Sequence, residues 1–201
     1  MRVIAGKYRS RRLQSVPGAD LRPTSDKLRE TLFNVLASST EIEDSVWIDL
    51  FAGTGAVGIE ALSRGARQVY FVESAKPAIK LIRGNLRSLD IDDGFEVLER
   101  EAQQALRALD SQAVACDFCF IDPPYRLQQE YEDCLGFLSQ SRLIDNNSVV
   151  VAEQDKHFDL AASFGSLERY RTLRQGDAVL SFYKRQEIGV RRQECRGRQP
   201  S

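Results

Sequence analysis

Histidine is almost absent from this chain of 201 residues, which contains only His157. One histidine is too few for a nucleophile and base pair built on histidine. It also cannot complete a zinc site with cysteines that lack a second close pair. The four cysteines are Cys116, Cys119, Cys134 and Cys195. We therefore expect reduced, buried cysteines and no metal, rather than metal or redox chemistry.

Long apolar runs are also missing, which excludes a transmembrane helix, because such a helix needs about 20 consecutive apolar residues. The opening stretch MRVIAGKYRSRRL has no apolar segment of the kind found in secretory signals. We expect a cytoplasmic protein without a membrane partner. The length suits one well-buried domain, and a monomer is the expectation.

An overall excess of charge is missing too, since the formal net charge is −1, but the charges are unevenly distributed. Residues 1–22 contain six basic residues and one acidic residue, and residues 184–201 contain six basic and two acidic residues. The segment between them is acidic. Two interpretations stay open: the basic ends contact a polyanion, or they are solvated tails.

What the sequence does contain is an alternation of strand-like and helix-like segments. The strand patterns cover residues 46–51, 68–73, 95–99, 117–122, 147–154, 167–174 and 178–185. The helix patterns cover residues 22–39, 56–65, 76–89, 102–110 and 128–140. This order predicts a doubly wound, mostly parallel α/β sheet with an antiparallel edge. Two short strands, 2–6 and 11–16, are predicted before it.

A glycine-rich loop follows the first strand of this alternation. Gly53, Gly55 and Gly58 form the pattern G-x-G-x-x-G, and Glu73 ends the next strand. This pattern suits a dinucleotide such as NAD, and it equally suits S-adenosylmethionine. Asp49 distinguishes them, because a carboxylate just before the loop would repel a pyrophosphate but attract the ammonium and sulfonium groups of the methyl donor. The sequence therefore favours S-adenosylmethionine.

The motif Asp122-Pro123-Pro124-Tyr125 follows the fourth core strand. Two prolines stiffen the turn and leave backbone carbonyls free to accept hydrogen bonds. An exocyclic amine of a nucleobase is a poor nucleophile, and acceptors from Asp122 and the Pro123 carbonyl would hold and aim it. Tyr125 would stack on the base. The alternative is an ordinary strand-to-helix turn.

The chain resembles the bacterial 16S ribosomal RNA guanine-N2 methyltransferases, which are class I S-adenosylmethionine-dependent enzymes. The resemblance rests on the stretches RVIAGKYRSRRL, LRPTSDKLRETLFNVL, DLFAGTGAVGIEALSRGA and IDPPY. It implies a seven-stranded Rossmann-like sheet. It also implies a basic N-terminal β extension (1–21) and a methyltransferase domain (22–185). The basic tail (186–201) lies outside the resemblance, and its lack of periodicity predicts a flexible segment. The substrate would be ribosomal RNA in the small subunit or in its assembly intermediate.

The same resemblance implies a role for individual residues. The donor would lie against Asp49, Phe51, Gly53, Gly55, Glu73, Glu101 and Ala102. The target guanine would lie against Asp122, Pro123, Pro124 and Tyr125. RNA would contact Arg2, Lys7, Arg9, Arg11, Arg12, Arg22, Thr24, Asp26, Arg29 and Glu30. For the last three residues an exposed, ion-paired helix face is the alternative. Glu153 matches an acid at this strand end in the family, and it is given no role.

Three other functions are also compatible with the sequence. An adenine-N6 DNA methyltransferase would use the same turn, since its target is also an exocyclic amine, although the chain is short of a DNA-recognition domain. A nicotinamide-dependent oxidoreductase would use the glycine loop. A non-catalytic RNA-binding assembly factor would keep the fold without the chemistry.

Overall fold

The computed structural model describes residues 1–15, 25–38, 40–124 and 126–186. In that part of the chain the helices are α1 (Asp26–Ala37), α2 (Ala56–Ser63), α3 (Lys76–Ser88), α4 (Ala102–Ser111) and α5 (Gln129–Gln140). The strands are β1 (Val46–Leu50), β2 (Gln68–Glu73), β3 (Phe95–Glu99), β4 (Phe118–Ile121), β5 (Val149–Asp155), β6 (Ser163–Phe164), β7 (Leu167–Gln175) and β8 (Ala178–Arg185). None of these described helices combines the length and the apolarity that crossing a bilayer requires.

The strands form one sheet in the order β3-β2-β1-β4-β5-β8-β7-β6. The first five strands in this order are parallel, and β8, β7 and β6 pair antiparallel. The predicted doubly wound, mostly parallel sheet with an antiparallel edge is confirmed. The sheet has eight strands instead of the seven that the resemblance implied. The additional strand is β6, whose two residues pair with the start of β7.

The N-terminal segment, residues 1–15, differs from the β extension predicted for it. Arg2 and Arg12 form an isolated antiparallel bridge, and no strand is assigned within these fifteen described residues. The backbone N–H groups of Ile4 and Ala5 instead donate to the carboxylate of Glu60, at 2.7 and 3.0 Å. The two arms of the segment still pair antiparallel, since the N–H groups of Val3 and Leu13 donate to the carbonyls of Arg11 and Met1 at 3.0 and 3.2 Å. The segment is therefore a hairpin with too little regular pairing for assigned strands, and side chains of α2 hold it in place.

Different helices cover the two faces of the sheet. Side chains of α1, α2, α3 and the N-terminal segment share one core with one face, which we call the α1 face. Side chains of α4 and α5 share a second core with the opposite face. On the α1 face, Trp47 of β1 stacks between Phe33 of α1 and Phe118 of β4, with ring centroids 5.1 and 4.5 Å apart. These contacts fix α1 over the middle of the sheet.

Candidate active site

Four acidic residues lie side by side at the carboxyl ends of neighbouring parallel strands. Glu73 is the last residue of β2, and Asp49 is the last but one of β1. Asp122 follows β4, and Glu153 lies in β5. In each case the residue two positions earlier belongs to the core of the α1 face, so the four carboxylates share that face. Neighbouring strands are about 4.8 Å apart, and ligands of doubly wound sheets bind at this edge. We call this group the acid row.

The glycine loop between β1 and α2 has an unusual backbone. Phe51, Gly53 and Gly55 have φ angles of 60°, 56° and 76°, in the left-handed region that only glycine adopts without strain. A side chain at Gly53 would meet little within the protein, so its φ angle is the reason for glycine there. The strain at Phe51 is the kind that clusters at functional sites. The predicted ligand-binding loop therefore turns sharply above the acid row.

Asp49 is buried, with 2% of its surface exposed. Its Oδ2 atom accepts a hydrogen bond of 3.0 Å from the N–H of Gly58, in the first turns of α2. Burial is the main cause that raises the pKa of this carboxyl to about 8. The Gly58 N–H opposes the rise, and the carboxylate of Glu73 adds to it. A buried acid beside other acids is poorly stabilised as an anion, so the site favours a cationic partner.

Glu73 fastens the loop to the start of α3. Its Oε2 atom accepts from the N–H of Gly53 at 2.9 Å, and its Oε1 atom accepts from Ser74 and Ala75 at 2.9 and 2.8 Å. A carboxylate can accept about four hydrogen bonds, so three of these leave capacity for one more. The carboxylate is half-buried at the loop, which is compatible with the predicted bond to a ribose hydroxyl.

The other two residues predicted to contact the methyl donor, Glu101 and Ala102, follow β3, the strand next to β2. Glu101 is exposed and precedes α4, and its side chain makes no capping hydrogen bond to that helix. Ala102 is buried at the first position of α4. Glu101 therefore follows the end of β3, the strand that pairs with β2, and after burial and Asp133 its charge helps to raise the pKa of Glu130 in α5. Its contact with a donor stays a prediction.

The turn after β4 places Asp122 half-buried beside Asp49 in the acid row. Burial raises the pKa of Asp122, and the carboxylates of Glu153 and then Asp49 raise it further. Pro123 is buried and Pro124 is exposed. The Pro124 carbonyl accepts from the N–H of Leu127 at 2.7 Å, which closes the turn. Tyr125 lies outside the described residues.

The predicted RNA contacts fall into three groups. Exposed side chains on the N-terminal segment belong to Arg2, Lys7, Arg9, Arg11 and Arg12. Two further predicted residues, Arg22 and Thr24, lie outside the described residues. On α1, Asp26 is half-buried and Glu30 is exposed. The exposed basic residues of the segment lie on the α1 face. Lys7 and Arg11 donate to the carbonyls of Ser63 and Ser88, at the C-terminal ends of α2 and α3.

The structure corrects the predicted role of Arg29. This residue is fully buried, so it cannot offer its guanidinium to RNA. It donates to Asp26 Oδ1 at 3.0 Å and to the backbone carbonyl of Arg2, and its Nε atom lies 3.9 Å from Glu60. The ion pair with Asp26 that the alternative predicted is present. Arg29 joins α1, α2 and the N-terminal segment.

The sequence motifs did not indicate two buried polar residues that hold parts of the structure together. Glu60 of α2 is fully buried and holds the N-terminal segment, and Asn85 of α3 is also fully buried. Glu60 lies in the otherwise apolar stretch AVGIEALS, which is a signal that could have drawn attention to it. Asn85 lies in an amphipathic helix with many polar residues, where nothing in the sequence distinguishes it.

Other candidate features lie away from the acid row. Cys116, Cys119 and Cys134 are buried free thiols in the core of α4 and α5, as expected, and Cys195 lies outside the described residues. Within residues 1–15, 25–38, 40–124 and 126–186, no group of three potential metal ligands is found. His157 is exposed near the end of β5.

The residues of the edge fit S-adenosylmethionine better than a dinucleotide. The fit rests on the donor set, which consists of a buried acid, a second acid bound to loop amides, and a glycine loop with left-handed backbone. Such a set suits a ligand with an ammonium and a sulfonium group, because a cation stabilises the ionised form of the buried acid, and it offers a pyrophosphate no positive charge. The residues that would hold the methyl donor are Asp49, Gly53, Gly55 and Glu73.

Comparison with known proteins places the chain in a family. The family model described as "Conserved hypothetical protein 95" matches residues 1–184. The chain belongs to this family. YlbH of Bacillus subtilis (strain 168) is 33% identical over 185 residues, which cover 92% of this chain and 99% of that protein. The protein named Ribosomal RNA small subunit methyltransferase D of Haemophilus influenzae is 34% identical over 157 residues, covering 78% of this chain and 79% of that protein.

Solved structures of similar proteins agree with the fold. The chain superposes on yhhF from Escherichia coli with a TM-score of 0.78 and 27% identity, covering 93% of this chain and 98% of that one. It superposes on the hypothetical protein TTHA0928 of Thermus thermophilus with a TM-score of 0.77 and 26% identity, covering 90% and 98%. The family that the sequence motifs indicated and the Rossmann-like methyltransferase fold are therefore confirmed.

Proposed function

We propose that this chain transfers a methyl group from S-adenosylmethionine to the exocyclic N2 amino group of a guanine in 16S ribosomal RNA of the small subunit. The observation that carries the proposal is the acid row, in which a donor-binding carboxylate and an amine-binding turn are neighbours. Asp49 and Asp122 lie at the ends of the paired strands β1 and β4. A donor over the glycine loop and an amine at the turn would meet between them.

Charge supports the donor half of the proposal. The carboxyl of Asp49 is buried, and the charge of Glu73 helps to raise its pKa, so an ammonium group placed beside Asp49 would stabilise its ionised form. When bound, the donor supplies an electrophilic methyl on a sulfonium, and its own positive charge suits the same acid. A phosphate group at this point would find an acid and no cation.

The turn after β4 supports the acceptor half. Asp122 can accept one N–H of the amine, and the carbonyl of Pro123 can accept the other, so the nitrogen lone pair is aimed away from the turn. The nitrogen would bond to the methyl group as the sulfur–methyl bond of the donor breaks and S-adenosylhomocysteine leaves, and Asp122 would stabilise the positive charge that builds on the nitrogen. The N–H proton then passes to Asp122 or to water. No covalent intermediate with the protein is needed.

The relatives and the basic segment support the choice of RNA. One relative is named as a small-subunit ribosomal RNA methyltransferase, and it is 34% identical to this chain. The exposed basic residues of the N-terminal segment suit a phosphate backbone. An adenine-N6 enzyme acting on DNA would use the same turn, so the substrate needs a direct test.

The test is a methyl-transfer assay with radiolabelled donor. Small ribosomal subunits from a strain lacking the protein, deproteinised 16S RNA and duplex DNA are compared, and the modified base is identified by mass spectrometry. We expect label on a guanine N2 in small subunits. Asp122→Ala should lower the rate at least about 100-fold, because it removes the acceptor of the amine, while S-adenosylhomocysteine still binds. Label in DNA alone, or loss of S-adenosylhomocysteine binding in Asp122→Ala, would contradict the proposal.

A further inference from the structure

Asn85 is a fully buried polar residue on α3 whose side chain bonds two separate parts of the chain. Its Oδ1 atom accepts from the N–H of Gln14 at 2.7 Å, and its Nδ2 atom donates to the Gln14 carbonyl at 3.2 Å. The side-chain amide thus pairs with the N–H and the carbonyl of one residue, as a residue of a neighbouring antiparallel strand would. The second N–H of the amide donates to the carbonyl of Thr54 at 2.9 Å.

The two partners of Asn85 belong to the two functional regions of the molecule. Thr54 lies between Gly53 and Gly55, in the loop above Asp49 that we assign to the donor. Gln14 is near the end of the N-terminal segment, which carries the exposed basic residues. One buried amide therefore fixes the position of both regions relative to α3.

The N-terminal segment has a second anchor at its other end. Glu60 and Ser63 of α2 accept hydrogen bonds from the backbone of Ile4, Ala5 and Tyr8. The close approach there leaves no room for a side chain at residue 6. The exposed Arg9, Arg11 and Arg12 lie along the chain between the two anchors, and Lys7 lies within the first. Asn85 is the anchor that also contacts the donor loop.

We propose that Asn85 is a positioning residue that holds the donor loop and the RNA-facing segment in one frame, so that its loss weakens both binding sites although it touches neither ligand. This inference rests on the proposed function. Buried amide groups that lose their partner are costly, so the loop and the segment would move to find new partners. The effect is expected on affinity for both ligands.

The experiment measures two affinities on the full chain. Isothermal titration calorimetry gives the Kd of S-adenosylhomocysteine, and filter binding gives the Kd of unmethylated small subunits. Asn85→Ala removes all three hydrogen bonds. Asn85→Asp keeps the acceptor for Gln14 but loses both donors. We expect both variants to weaken each affinity by about five- to tenfold, since one lost hydrogen bond is worth up to about tenfold.

Two control variants separate positioning from general damage. Leu106→Ala, in the core under α4, lowers stability through a cavity of the ordinary kind and should leave both affinities within about twofold. Arg9→Ala, at an exposed position of the segment, should weaken subunit binding alone. If Asn85→Ala and Asn85→Asp change only one affinity, or change both no more than Leu106→Ala does, the inference is overturned. A wild-type chain that does not bind S-adenosylhomocysteine would instead overturn the proposed function.

Discussion

The charge state of Asp49 should make binding of the methyl-donor product depend on pH. In the free protein, burial and Glu73 raise the pKa of Asp49 to about 8, so this acid keeps its proton at neutral pH. The ammonium group of S-adenosylhomocysteine needs the ionised carboxylate as its partner. Binding at pH 7 should therefore release the proton of Asp49.

The magnitude follows from the pKa. About one tenth of Asp49 is ionised at pH 7 and about one hundredth at pH 6. If the ligand binds only the ionised form, its affinity falls about tenfold for each pH unit below 8 and levels off above. The rise in pKa from 3.8 to about 8 also corresponds to about 6 kcal/mol between the protonation states.

The same rise in the pKa of Asp49 determines the direction in which the free energy of unfolding changes with pH. Because the folded chain holds a proton that the unfolded chain has released, the contribution of Asp49 to stability is complete below about pH 4. It is lost as the pH rises towards 8. The variant Asp49→Asn cannot titrate, so its free energy of unfolding should fall less over this interval than that of the wild type.

Isothermal titration calorimetry of S-adenosylhomocysteine between about pH 6 and pH 8.5, in buffers with different ionisation enthalpies, measures both Kd and released protons. We expect almost one proton released at pH 6 to 7 and far less at pH 8.5. Asp49→Asn should bind weakly at every pH. A wild-type Kd that stays constant from pH 6 to 8 would refute the reasoning. A pH dependence that survives in Asp49→Asn would assign the proton to another acid.

Two further predictions concern stability and are read from denaturant or thermal unfolding. Glu153→Gln removes the carboxylate that most raises the pKa of Asp122, so this variant should gain stability over the wild type at pH 8 and gain less at pH 5. An equal gain at both pH values would contradict the coupling. Gly58→Ala should cost about 1–3 kcal/mol, because its Cβ would lie 2.3 Å from Phe71 Cε1. Gly136→Ala, with no atom within 4 Å, is the control and should stabilise by about 0.5–1 kcal/mol.

Much of the fold could be predicted because segments with the two-residue period of a strand alternate with segments that have the 3.6-residue period of a helix. The bounds of β2, β3 and β8 agree with the strand patterns at 68–73, 95–99 and 178–185. The first helix begins later than predicted, at Asp26, because Ser25 caps it by accepting from the N–H of Leu28 at 3.1 Å. β6 could not be predicted, since two residues are too few to show an alternation.

The placement of the site could be predicted more readily than its contacts. Strand ends in a parallel sheet share one edge, so Asp49, Glu73 and Asp122 were expected together. The hydrogen-bond partners of these acids could not be predicted. The N–H groups of Gly53 and Gly58 reach Glu73 and Asp49 only in the folded loop, and a sequence pattern does not show that geometry. Arg29 is a second example. Helical spacing predicted that it lies beside Asp26, but nothing in the sequence indicated that Glu60 of α2 would lie beside its buried guanidinium.

Folding alone does not explain the acid row. Placing four carboxylates on one face at neighbouring strand ends destabilises the free protein, as the raised pKa values of Asp49 and Asp122 show. Such a cost is expected where a ligand offsets it. The same row offers an RNA phosphate no cation, whereas the exposed basic residues of the N-terminal segment would attract one. If the proposed function is right, the phosphates contact the segment and only an unstacked base, which carries no charge, enters the acid row. This division of charge would then favour the amine of a single base over a stacked duplex at the site.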